Sequence, residues 1–255
     1  MKTTGNTILI TGGGSGIGRG LAEAFHALGN RVIIAGRRKQ ALDETTAANP
    51  GMASLALDIE DPANIRSFAA QVAAKYPALN VLINNAGIMR PEKLQAQQDD
   101  LADAESTVAT NLLGPIRLIA ALLPVLRKQP QATIMNVSSG LAFVPMSPTP
   151  TYCATKAAIH SYTQSLRYQL QGSTIEVLEL IPPYVATELM SGASSDPRAM
   201  PLDKFVAEVM DILKTQPAAA EICVENVKPL RFAAESGHYD AVFQGLNEAM
   251  KSASH

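Results

Sequence analysis

The sequence predicts an α/β fold, a doubly wound parallel sheet with helices on both faces. Three observations carry the prediction. Short apolar runs alternate with stretches of helical periodicity along the 255 residues. The first run stops at a glycine cluster that opens a helix. Polar residues, among them Asp58, Asn85 and Ser139, fall just past the ends of later runs, where open parallel sheets bind their ligands.

Residues 6–11 read as a strand, and Leu21, Ala24, Phe25 and Leu28 form a helical stripe running to Gly29. Between them lies Thr11-Gly-Gly-Gly-Ser-Gly-Ile-Gly18. Such a turn sets backbone N–H groups and a positive helix end where a pyrophosphate could bind. The spacing GxGxxG fails at Ile17, whereas TGxxxGxG fits through Thr11, Gly12, Gly16 and Gly18. A second strand, 31–35, ends in Gly36-Arg37-Arg38. An NAD site usually places an acid there, about twenty residues beyond the glycine turn, and arginine suits the 2′-phosphate of NADP. Two arginines and no carboxylate therefore predict NADP(H) in preference to NAD(H).

A helix over 39–48 and a strand over 52–57 follow, and Asp58-Ile59-Glu60-Asp61-Pro62 leads into a helix ending near Tyr76. Asp61 is read as its N-cap, with proline at the first helical position. Asp58 reads equally as a turn residue or a cofactor contact. Residues 80–88 form a fourth strand whose asparagines and glycine fall just past its end, letting backbone approach a ligand. A helix runs from about Asp99 through Asn111 to Lys128, kinked at Gly114-Pro115. Asparagine inside a helix is unfavourable enough to imply a specific polar task for Asn111.

The fifth strand, 132–137, ends in Ser138-Ser139-Gly140, and a loop bearing Pro145, Pro148 and Pro150 leads to Tyr152. A helix over 152–171 places Tyr152 and Lys156 on one face, four residues apart. A free phenol titrates near ~10, and an adjacent ammonium is expected to lower that value. A strand at 174–181, a loop at 182–200, a helix at 202–215, a short strand at 221–224 and a helical tail complete the chain. The Gly, Ser, Pro and Ala content around 183–203 predicts a mobile substrate lid. With no linker or repeat, one domain over 1–255 is expected.

Apolar residues make up 47% and charged residues 17%, with a net charge of −2. No basic excess is available for a phosphate backbone, so nucleic acid is not an expected partner. No signal pattern opens the chain and no apolar run approaches the ~18 residues of a membrane span, which predicts a cytoplasmic protein without membrane contact. Cys153 and Cys223 share no CxxC spacing, and His26, His160, His238 and His255 are scattered, so neither a disulfide nor a metal is expected. Cys153 reads as a packing cysteine. Met89, Met135, Met146 and Met190 could line an apolar pocket, but scattered core methionine is the default reading.

Together the TGxxxGxG turn, Asn84-Asn85-Ala86-Gly87, Asn111, the serine and Tyr152-x-x-x-Lys156 resemble the short-chain dehydrogenase/reductase family, in its single-domain branch of Rossmann fold. The resemblance covers most of the chain, clearly from Thr7 to Thr187. It implies a catalytic set of Asn111, Ser139, Tyr152 and Lys156. It also implies cofactor contacts at Gly12, Ser15, Gly16, Ile17, Gly18, Asp58, Ile59, Asn85, Ala86, Gly87, Tyr152, Lys156, Pro182, Val185 and Thr187, beside Arg37 and Arg38. Hydride transfer between nicotinamide and a small carbonyl or alcohol substrate follows, with Tyr152 as general acid/base; the rival reading is a catalytically silent, cofactor-sensing protein. The extended branch's TGxxGxxG fails at Ser15. Two departures stand out: Pro182-Pro183-Tyr184 where relatives carry Pro-Gly, and a helical tail in place of a glycine-rich ending. The second favours a homodimer through the two long helices over a tetramer.

Overall fold

The computed structural model describes residues 1–93, 100–190 and 192–252. Residues 94–98, the start of a predicted helix (Asp99), one lid residue (Ser191) and His255 lie outside these. Strands β1 (Thr7–Thr11), β2 (Arg31–Gly36), β3 (Ala53–Ala56), β4 (Val81–Asn84), β5 (Ala132–Val137), β6 (Ile175–Ile181) and β7 (Glu221–Cys223) form one sheet. Its order is β3-β2-β1-β4-β5-β6-β7 and every pairing is parallel. The order reverses between β1 and β4, opening a crevice at their carboxyl ends.

Alternating side chains feed two cores. Ile8, Ile10, Ile34, Ile83 and Leu180 pack beneath helices α1 (Gly16–Ala27) and α7 (Leu202–Thr215) through Phe25 and Phe205. Leu9, Ile33, Leu82, Ile134 and Val177 face the other way, onto α3 (Pro62–Lys75), α5 (Gly114–Leu126) and α6 (Pro150–Gln169). The remaining helices are α2 (Lys39–Ala48), α4 (Ala102–Val108), the single turn α8 (Lys228–Arg231) and α9 (Tyr239–Ser252). Asp61 caps α3 as expected, accepting from the Ala63 N–H at 2.7 Å.

Three of the differences from the sequence reading bear on the site. β4 stops at Asn84 because the next N–H, of Asn85, turns to the Thr11 hydroxyl at 3.0 Å. α6 starts at Pro150, so Tyr152 lies in its first turn. The predicted kink is a π-turn, Ala109–Leu113, closed by the Gly114 N–H on the Ala109 carbonyl. Pro115 brings no N–H to the Asn111 carbonyl four residues earlier. The unit Ala102–Leu126 is long and apolar enough to cross a membrane by length and composition. Its Leu118, Ile119, Leu122 and Leu126 are nonetheless buried against the sheet.

Candidate active site

The crevice is built from glycines. Gly12 and Gly16 have φ of 67° and 51°, left-handed values that a side chain disfavours. A Cβ on Gly18 would stand 2.4 Å from both the Gly12 carbonyl and Asn85 Nδ2. This lack of side chains lets the β4 loop press onto the turn. Thr11 Oγ1 accepts from the N–H groups of Asn85 and Ala86, each at 3.0 Å, and Asn85 Nδ2 donates to the Thr11 carbonyl at 3.0 Å. The N-cap of α1, Ser15, gives its side chain to no helix N–H and instead accepts from Arg38 at 2.6 Å. The α1 N-terminus therefore faces the crevice with its own N–H groups, as an anion site requires.

A cavity of about 870 Å³ runs from this turn past the ends of β4 and β5. Gly12, Ser15, Gly16, Ile17, Arg37, Arg38, Ile59, Asn85, Ala86, Gly87, Ser139, Tyr152, Lys156, Pro182, Val185 and Thr187 line it. Gly18, Asp58 and Asn111 of the predicted set do not. Gly18 lies beneath the turn, and Asp58 Oδ1 accepts from the Glu60 N–H at 3.1 Å, the turn role of its two readings. Asn111 is buried, and its side chain clamps the backbone beyond Gly87: Oδ1 accepts from the Ile88 N–H at 2.9 Å and Nδ2 donates to the Ile88 carbonyl at 2.8 Å.

Ser139, Tyr152 and Lys156 are all buried and converge on the cavity. Lys156 Nζ donates to the Val137 carbonyl at 2.8 Å and lies 5.6 Å from the Tyr152 ring centroid. Burial pushes the Tyr152 phenol up to about 12, with the Ser139 hydroxyl acting in the opposite direction. The expected lowering by Lys156 is not met, because loss of water around the phenolate outweighs the available polar contacts. Burial likewise lowers Lys156 to about 8, opposed by the negative charge of Glu179.

Sequence spacing missed four groups around this centre. Arg37 pairs with Glu60 at 2.7 Å, and the same carboxylate accepts from Ser106 and Thr110. Glu92 caps α6, accepting from the Thr151 N–H and hydroxyl, both at 2.9 Å. Met89 and Met146 form a cluster with Tyr152 and Cys153, joined by Leu141, Met190, Leu246 and Met250. Three of the four methionines thus line the cavity and only Met135 sits in the main core, correcting the default reading. Leu246, Ala249 and Met250 come from α9, which Asn247 fastens down: it accepts from the Ser147 N–H at 2.6 Å and donates to the Pro145 carbonyl at 3.2 Å. Cys153 is a buried packing residue, its thiol raised by burial, as read.

The segment after β6 closes the far wall. Val185 pairs with Met200, and the Ala186 N–H donates to the Met200 carbonyl at 2.9 Å, joining the two ends of the loop. Thr187 comes within 3.4 Å of where a Gly16 side chain would begin.

A glycine cradle at the switch point, opening onto a buried serine, tyrosine and lysine, marks an oxidoreductase that works with a nicotinamide dinucleotide. The chain belongs to the short chain dehydrogenase family, whose model matches residues 6–198. It is an enzyme of that family. It is 38% identical to a Bacillus subtilis protein described as uncharacterized oxidoreductase DltE, over 97% of this chain and 98% of that one. A short-chain dehydrogenase from Streptomyces avermitilis shares 27% identity and a TM-score of 0.79 over 98% of each chain. One from Sphingobium yanoikuyae, solved in complex with NADPH, shares 26% identity and a TM-score of 0.77, covering 94% of this chain and 95% of that one.

Proposed function

We propose that the protein interconverts a carbonyl compound and its alcohol with NADP(H), using Tyr152 as the general acid/base. The observation that carries this reading is the convergence of Ser139, Tyr152 and Lys156 on the cavity that also holds the glycine turn. Gly12, Ser15, Gly16 and Ile17 line the pyrophosphate cradle and Gly18 lies beneath it, where a Cβ on Gly12 or Gly18 would press on Asn85 and spread the turn. Ile59 and Asn85 to Gly87 wall the dinucleotide, Pro182, Val185 and Thr187 meet the nicotinamide end, and Arg37 with Arg38 meet the 2′-phosphate. The bound cofactor supplies the hydride.

The chain's own residues supply the rest. Ser139 donates a hydrogen bond to the substrate oxygen, and Tyr152, protonated because burial holds its phenol up, gives that oxygen a proton during reduction. The Lys156 ammonium over the ring favours the negative charge that develops on the phenol oxygen. The Asn111 main-chain carbonyl, to which Pro115 brings no N–H, accepts a water that returns the proton. Methionine and leucine side chains around Tyr152 favour an uncharged, apolar carbonyl compound. We also read the chain as one cytoplasmic domain with segment 183–203 as its lid, and as a homodimer through the long helices; Leu113 and Tyr168, exposed on them, suit such a contact.

A panel of aldehydes, ketones and sugars with NADPH, followed by loss of nicotinamide absorbance, tests the reading. Folded protein that consumes NADPH with none of them would sink it.

A further inference from the structure

Tyr152, Lys156 and His160 are spaced i, i+4, i+8 on α6, so one stripe of the helix carries all three along the ends of the strands. At His160, one turn beyond Lys156, the stripe meets Glu179 of β6, a residue with no exposed surface. The alternation of β6 sends Glu179 to the α6 side, between Leu178 and Leu180, which face the other core. Its carboxylate accepts from the Ser138 hydroxyl at 2.5 Å and meets His160 Nδ1 at 2.8 and 3.1 Å. Ser138 immediately precedes Ser139, and the Lys156 acceptor is the carbonyl of Val137, one residue earlier. Two residues of the proton-transfer centre thus hang on a three-residue stretch that Glu179 holds from below.

We propose that Glu179 is a positioning residue of this centre: its enclosed carboxylate is the internal counter-ion of Lys156 and, through Ser138, fixes the strand end from which Ser139 projects. The inference rests on the reading of Ser139, Tyr152 and Lys156 given above. Lys156 donates its hydrogen bond to a neutral carbonyl, and a buried ammonium with no anion nearby is strongly disfavoured. Glu179 carries the negative charge that opposes the effect of burial on Lys156. Other groups facing this pair are already matched. Glu221 of β7 pairs with Arg231 at 2.7 Å, Cys223 is neutral with its thiol raised by burial, and His160 lies edge-on to Phe143 with centroids 4.7 Å apart. One ligand atom from each of His160, Glu179 and Glu221 falls within 4.8 Å of the others, a spacing fit for a metal ion. Arg231 and Ser138 occupy these carboxylates instead, so the cluster serves as an internal charge network.

The test is the titration of Lys156, observed by NMR in protein carrying ¹³Cε-lysine and assigned with Lys156→Arg. Removing the charge in Glu179→Gln is expected to lower the Lys156 midpoint by about one pH unit, a tenfold shift in its equilibrium, while Glu179→Asp stays near wild type. In turnover the alkaline limb of kcat/KM moves down in parallel, and the KM for NADPH holds. An unchanged Lys156 midpoint in folded Glu179→Gln overturns the proposal. Should that variant not fold, the carboxyl ¹³C signal of Glu179 in the wild-type protein decides: a neutral acid at pH 7 overturns it, an ionised one supports it. A shifted midpoint in a protein that reduces no carbonyl compound would uphold the counter-ion role while removing the reductase reading.

Discussion

Lys156 sends its hydrogen bond to the Val137 carbonyl at 2.8 Å while its charge stands over the Tyr152 ring, 5.6 Å from the centroid. The helix residue proposed to steady the Tyr152 acid is therefore itself anchored to the interior strand β5. Replacing Tyr152 with Phe keeps the ring and its packing and removes only the proton. Turnover is expected to fall roughly 10²- to 10⁴-fold, with NADPH affinity by fluorescence titration almost unchanged. Retained turnover would refute the role of Tyr152.

The two groups also predict opposite effects of alkali on activity and stability. With Tyr152 near 12, the acid stays protonated throughout an ordinary assay, so alkaline loss of kcat/KM near pH 8 reports Lys156 losing its charge. Stability runs the other way. Lys156 is lowered from 10.5 to about 8, so between these values the unfolded chain binds more protons than the folded one, and stability from this group grows as pH rises. Below pH 8 the full burden of the buried ammonium is present. Lys156→Met should erase this component, seen as a Tm that rises less from pH 8 to 10 than in the wild type; parallel Tm curves would contradict it.

Arg37 and Arg38 are held by Glu60 and Ser15, partners that a phosphate could replace. Each charge-assisted bond is worth ~1.5–3 kcal/mol. Arg37→Ala and Arg38→Ala should therefore each lower kcat/KM for NADPH by roughly 10- to 100-fold and change that for NADH far less. Equal losses with both cofactors would place the arginines elsewhere in function.

Gly18→Ala would set a methyl 2.4 Å from the Gly12 carbonyl, a backbone atom that cannot swing aside. The expected cost is roughly 2–3 kcal/mol, or roughly 5–10 °C in Tm for a chain of this size, together with loss of NADPH binding. A stable variant that binds NADPH normally would mean that the turn can spread.

Asn247→Ala should unfasten α9, leaving the Ser147 N–H without its acceptor. A loss of ~1 kcal/mol corresponds to a roughly fivefold rise in KM for the carbonyl substrate, with the KM for NADPH unmoved. Steady-state kinetics against both substrates separates the two.

What could be read from the sequence was what depends on short spacing. The glycine turn, the Asp61 cap and the four-residue interval from Tyr152 to Lys156 follow from local geometry, and the strand alternation follows from period-two patterning. The Asn111 clamp on Ile88, the Glu60 hold on Arg37 and the Glu179 link to His160 and Ser138 join residues 19 to 41 positions apart or bridge separate elements. No pattern along the chain marks such partners. The sign of the Tyr152 shift was misjudged for the same reason, since the neighbour in sequence was visible and the depth of burial was not.

The family model ends at residue 198, yet Leu246, Ala249 and Met250 help to enclose the space in front of Tyr152. On the proposed reading, reaction and selectivity are thus written in different portions of the gene product. Exchanging α9 together with its 145–148 seat would be expected to redirect the enzyme toward other carbonyl compounds while its proton-handling machinery, complete by Lys156, stays as it is.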